Sequence, residues 1–74
     1  MKRSDEINRL IEETVNAAAG SVTGDETLSA IGWDSIAAVM FIASVDEKFS
    51  RSLDMEALAV ARTVADLHAL IGTD

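Results

Sequence analysis

Gly32-Trp33-Asp34-Ser35-Ile36-Ala37-Ala38-Val39-Met40-Phe41-Ile42-Ala43-Ser44-Val45-Asp46-Glu47-Lys48-Phe49 joins a turn-rich loop to an aliphatic segment. Asp34 has the short oxygen acceptor suited to a helix cap, and apolar residues then recur at helical spacing. The stretch therefore predicts a helix from Ser35 to about Phe49. That helix carries two apolar faces. Ala38, Phe41, Ile42, Val45 and Phe49 fit a core, while Ile36, Val39, Met40 and Ala43 lie largely on another side that begins beside Ser35. A small domain has difficulty burying both, so either a partner or a short neighbouring helix covers the second. Ser35 projects from the helix N-terminus, where unpaired N–H groups and the helix dipole favour an attached anion. No local base accompanies the hydroxyl, which reads as an attachment point rather than a nucleophile acting for itself.

The segments on either side are also helical. Ile7, Leu10, Ile11, Thr14, Val15 and Ala18 make one apolar stripe, on a helix expected to start near Ser4 or Asp5 and to stop by Gly20. Residues Ser21 to Trp33 read as a long ordered loop anchored by Leu28 and Ile31. Leu53 to Ala61 reads as a short helix started by Asp54, with Met55 and Leu58 inward. Thr63 and Asp66 resemble a capping box, with Asp in place of Glu or Gln, ahead of a last helix carrying Val64, Leu67, His68 and Ile71 and ended by Gly72. The expected fold is all-α: three main helices plus one short helix in a single domain over residues 1–74.

Composition narrows the function. A chain of 74 residues buries only about 60–65% of its unfolded surface, leaving no room for a deep catalytic cleft and a second lobe. Apolar residues make up 49% of it, too many for a disordered tail. The absence of cysteine excludes disulfides, thiolate metal sites and Cys nucleophiles, and is compatible with a reducing cytoplasm. No apolar run reaches the roughly 20 residues of a membrane span, and the N-terminus has no signal-peptide pattern. A free-standing cytoplasmic protein is expected. Thirteen acidic against six basic residues give a net charge of −7, which argues against nucleic acid. The same charge either steers basic protein partners or keeps the surface soluble.

With these landmarks in place, the chain resembles an acyl carrier protein over nearly its whole length. The resemblance rests on the amphipathic first helix and on Leu28-Ser29-Ala30-Ile31-Gly32-Trp33. It continues through Asp34-Ser35-Ile36, Asp46-Glu47-Lys48-Phe49 and Thr63-Val64-Ala65-Asp66-Leu67. It implies a non-catalytic, monomeric carrier whose Ser35 accepts a 4′-phosphopantetheine arm from coenzyme A, installed by a separate phosphopantetheinyl transferase. Acyl or aminoacyl groups would ride on the arm as thioesters, between a loading enzyme and a downstream synthase or transferase. Asp34 caps the helix and, by the same resemblance, helps the transferase bind Mg²⁺. Carriers of fatty acid synthesis usually have acidic residues just after the serine. Here Ala37 and Met40 stand in those places, and Leu53-Asp54 stands where a Pro is frequent. Docking is thus expected to use apolar contact through Ile36, Val39, Met40 and Trp33, in polyketide, nonribosomal peptide or another specialised biosynthesis.

Other readings compete for the same residues. A serine hydrolase would need a Gly-x-Ser-x-Gly elbow, which is missing, and would need His68 to approach Ser35; a packing role for His68 is the alternative. One His and scattered carboxylates show no metal-ligand spacing. Trp33 either touches the arm or a partner, or pins its loop. Met40 and Met55 either border a cargo groove between the second and third helices or fill the core. The Lys2-Arg3 pair reads as a solvated terminus. A non-catalytic acidic helical adaptor without a prosthetic group would share the charge and the second face.

Overall fold

The computed structural model describes residues 3–72. Its elements are α1 (Arg3–Val15), a 3-10 turn (Ser29–Ile31), α2 (Ser35–Phe49), α3 (Met55–Ala59) and α4 (Val64–Ile71). Among the described residues no strand forms, only an isolated antiparallel bridge between Thr27 and Thr63. This is the all-α bundle the sequence implies. Among the described residues no helix is long and apolar enough to cross a membrane.

In α1, Asp5 and Glu6 sit in the first turn, where they complement the helix dipole. Ile7, Leu10 and Ile11 form its buried face. The helix stops earlier than Gly20 suggests. Asn16 takes the left-handed conformation at φ 59°, which Asn tolerates better than most residues. The Ala17 N–H then turns back to the Glu12 carbonyl at 2.8 Å. Glu12 has a second role that periodicity does not reveal. Its buried carboxylate accepts the N–H groups of Gly20 at 2.9 Å and Val22 at 3.0 Å. These bonds bend the loop inward and seat Val22 in the core beside Leu28, while the expected anchor Ile31 is half-buried.

The predicted span of α2 matches the observed one, but its core face is turned slightly. Ala37, Phe41 and Val45 are buried, with Ala38, Ile42 and Phe49 packed half-buried at the edge. Ala37 was not among the expected core positions. From α4, Val64, Leu67 and Ile71 complete the core, and Leu58 contributes from α3. Met55 departs from expectation: it is 48% exposed rather than inward. Ala18, expected on the α1 stripe, is exposed beyond the helix end.

The Asp variant of the capping box forms in full. Thr63 Oγ1 accepts the Asp66 N–H at 3.2 Å, and Asp66 Oδ2 accepts the Thr63 N–H at 3.1 Å. Beside it, the Leu28 N–H donates to the Arg62 carbonyl at 2.8 Å and the Val64 N–H to the Glu26 carbonyl at 3.0 Å. The long loop is thereby tied to the start of α4.

Glu26 also stiffens that loop. Its carboxylate accepts the N–H groups of Gly24 and Thr23 and the Thr23 hydroxyl, which lowers its pKa from 4.5 to about 2. A carboxyl depressed in the folded state contributes stability above its unfolded pKa and loses it as pH falls toward the folded one. Melting temperature is therefore expected to drop between pH 4.5 and about 2. The drop should be smaller in Glu26→Gln, and an identical pH profile for the two proteins would refute this role.

Arg3 is not simply solvated. Its guanidinium lies 5.7 Å from the Phe49 ring centre and donates to the Gly72 carbonyl at 3.4 Å. This joins the start of α1 to the ends of α2 and α4. Lys2 lies outside the described residues.

Candidate functional site

Asp34 sets the site up through its backbone and its side chain together. Its φ of −137° and ψ of −175° are extended, so the chain enters α2 by a sharp change of direction. Asp34 Oδ1 accepts the Ala37 N–H at 2.8 Å, the expected cap. The Asp34 carbonyl accepts the Ala38 N–H at 3.0 Å, opening the helical ladder. The amides of Ser35 and Ile36 have no partner among the described residues, and the first turn of α2 carries no acid of its own. Two donors and the positive end of a 15-residue helix therefore remain at the head of α2.

Ser35 stands there exposed. No hydrogen bond links it to an imidazole or a carboxylate among the described residues. His68 is engaged elsewhere: its Nε2 lies 2.7 Å from Asn8 Oδ1, between α4 and α1. Half-buried and desolvated, it titrates below its ordinary 6.5. The packing reading of His68 holds, and the Ser-His arrangement of a hydrolase is not formed. Among the described residues no group of His, Cys, Asp or Glu side chains comes together in a way suited to a metal ion.

Beside Ser35 runs an apolar groove of about 310 Å³ between α2 and α3. Trp33, Asp34, Ser35, Ala38 and Val39 form one wall, and Met55, Leu58, Ala59 and Ala61 the other. The exposure of Met55 now has a context, since it edges this groove rather than filling the core. Trp33 pins its loop to the core and also forms part of the groove wall. Its ring meets Phe41 edge-on at 5.3 Å with 74° between planes, and its backbone N–H donates to the Leu28 carbonyl at 3.0 Å. The other side of the half-buried indole lines the groove.

The second face of α2 stays open. Ile36 is 69% exposed, Val39 56% and Met40 50%, so α3 does not cover it. Of these three only Val39 lines the groove; Ile36 and Met40 lie outside it. Ala37 belongs to neither surface. Being 5% exposed, it is no docking position, and an acid there would be buried. The lack of charge just after Ser35 is thus a surface departure at Met40 alone. Ala59, at the end of α3, and Ala61, just beyond it, were missed in the sequence, because a small alanine side chain carries no signal distinguishing a groove wall from a solvated side.

The head of α2 thus presents an exposed, base-free serine on a capped helix, beside an apolar groove in a small helical bundle. The chain matches the family model described as the phosphopantetheine attachment site over residues 5–71, and it belongs to that family. A comparison with curated proteins found no significant match. Members of the family bear 4′-phosphopantetheine covalently on a serine. Such carrier domains are generally non-catalytic, and they meet a phosphopantetheinyl transferase and acyl-handling enzymes. Membership, rather than charge or the open face of α2, favours the carrier role over a bare adaptor. The residues at the head of α2 fit the group: a reachable hydroxyl, two unpaired amides for a phosphodiester, and an apolar wall alongside.

Proposed function

We propose that Ser35 bears the 4′-phosphopantetheine arm, received from coenzyme A through a separate transferase. The observation that carries this reading is the exposed Ser35 hydroxyl at the positive end of α2, free of any base and at the lip of the groove. When bound, the arm supplies the thiol that holds acyl or aminoacyl groups as thioesters, a chemistry this cysteine-free chain lacks. The chain's own part is to anchor and present. The Ser35 and Ile36 amides and the α2 dipole favour the phosphodiester, and Trp33, Val39 and Met55 shield apolar parts of the arm. Asp34 fixes the helix head and helps the transferase hold Mg²⁺. Incubation with coenzyme A, Mg²⁺ and a broad-specificity phosphopantetheinyl transferase tests this by intact mass, which should rise by one arm on a peptide containing Ser35.

Enzymes that load and use the cargo dock, in this reading, on Trp33, Ile36, Val39 and Met40. The exposed side chains of Ile36, Val39 and Met40, with half-buried Trp33 beside them, support this, together with the absence of acids in the first turn of α2. Met40→Glu is expected to leave circular dichroism unchanged while lowering turnover of the loaded carrier by a partner enzyme about tenfold, the effect of roughly 1.4 kcal/mol of lost contact. Unchanged turnover removes this surface from the docking model. The uncharged contact favours polyketide, nonribosomal peptide or other specialised biosynthesis over fatty acid synthesis. A cytoplasmic monomer completes the reading, its charge of −7 opposing self-association.

A further inference from the structure

The groove beside Ser35 has a neighbour on the far side of Trp33 and Ala61. A second hollow of about 290 Å³ lies between the 3-10 turn and the approach to α4, and it shares Trp33 and Ala61 with the first. Arg62 lines this hollow with an exposed side chain. Its backbone is held on both sides: the carbonyl accepts the Leu28 N–H at 2.8 Å, and the N–H donates to Asp66 Oδ2 at 2.9 Å. The guanidinium thus springs from a fixed base; it forms no close ion pair among the described residues, and its charge adds a minor part to the lowered pKa of Asp66, after the Arg62 and Thr63 backbone N–H groups.

The other cations described are placed elsewhere. Lys48 lies 3.8 Å from Glu13, and Arg3 lies over Phe49. Arg51 is beside Gly72, while Arg9 lines a separate hollow with Glu12 and Gly20. Arg62 is the one described cation on the hollow adjoining the Ser35 groove. On a chain of net charge −7, with Asp34 in the groove wall, Arg62 offers a cationic contact to an anion carried along the Trp33 side of that groove.

We propose that Arg62 holds an anionic group of the Ser35-borne arm, the shared chemistry being an oxyanion that a guanidinium fork can grip: the phosphodiester itself or a carboxylate on the cargo. The proposal rests on the reading of Ser35 as the arm's anchor. It gives Arg62 a positioning role, drawing the arm across Trp33 instead of leaving it in solvent.

The test follows the Arg62 Nε–H and Trp33 indole N–H resonances in four samples: unmodified protein, and protein carrying the free-thiol, acetyl or succinyl arm. The Arg62 resonance is expected to shift on loading and to return toward its unmodified position at high salt, because exposed ion pairs are screened. A shift already present with the free thiol assigns the phosphodiester; one confined to the succinyl form assigns a cargo carboxylate. Arg62→Gln should abolish the salt-sensitive part of the Trp33 shift, and Arg62→Lys should restore some of it. An Arg62 resonance identical in all four samples overturns the proposal, as does a wild-type, salt-sensitive Trp33 shift in Arg62→Gln. Failure of the arm to attach, read by mass alone, overturns the Ser35 assignment and this inference together.

Discussion

Ser35→Ala is expected to take up no arm under conditions in which the wild-type chain is converted to a single arm-bearing species. The difference is all-or-none because a methyl group offers no oxygen for the phosphodiester. The fold should not change. Ser35 is exposed, caps nothing, and occupies a helical position where Ala has the better intrinsic propensity, so stability should move by no more than about 0.5 kcal/mol. Intact mass gives the first result and thermal melting the second. Asp34→Asn belongs in the same assay, since Asn retains the oxygen that caps the Ala37 N–H but lacks the charge that attracts Mg²⁺. Slower modification of a stably folded Asp34→Asn variant supports the metal role, and a wild-type rate leaves Asp34 a cap only. Arm attachment persisting in Ser35→Ala sinks the assignment, and so does a wild-type mass unmoved by several competent transferases.

Phe41→Ala is the substitution expected to cost the fold most. Phe41 is fully buried at the middle of α2, and on it rest Trp33 and, through Trp33, the approach to Ser35. Truncating a buried Phe loses its transfer free energy and leaves a cavity, together about 3–5 kcal/mol. A chain of 74 residues has only roughly 4–11 kcal/mol in all. The melting temperature should therefore fall by more than about 12 °C, at roughly 4–8 °C per kcal/mol for a domain of this size. The Trp33 emission should move toward that of a hydrated indole even where the variant remains folded. Ile36→Ala, on the exposed face of the same helix, should change stability by about 0.5 kcal/mol or less. Comparable losses for the two would mean that the inner and outer faces of α2 have been assigned the wrong way round.

Much of this architecture is legible in the chain as written. The bounds of α2 follow from an acceptor at Asp34 and apolar spacing through Phe49. The α4 cap follows from Thr63 and Asp66, where an aspartate three residues on reaches back as a longer glutamate does. Those signals are local, with both partners within a turn of each other. What could not be read links residues far apart. Glu12 looks like any solvent-facing acid on a helix until the loop returns to lay two amides on its carboxylate. Val22 becomes core only once that return is made, and the burial of Ala37 is likewise a product of tertiary packing. Met55 moved from the expected core to the groove's edge because a five-residue helix buries one strong anchor, and Leu58 took that position.

Primary structure alone settled the helical class, the absence of any thiol, the acidic balance and the seat of Ser35 at a capped helix head. All of these depend on composition or on neighbours within four positions. Packing decided the rest: that α3 leaves Ile36, Val39 and Met40 open, that Trp33 is both prop and wall, and that Arg62 borders a hollow sharing Trp33 and Ala61 with the serine's groove. Surfaces of this kind arise where segments distant along the chain meet, and no periodicity within one segment encodes which side of it a distant neighbour will cover.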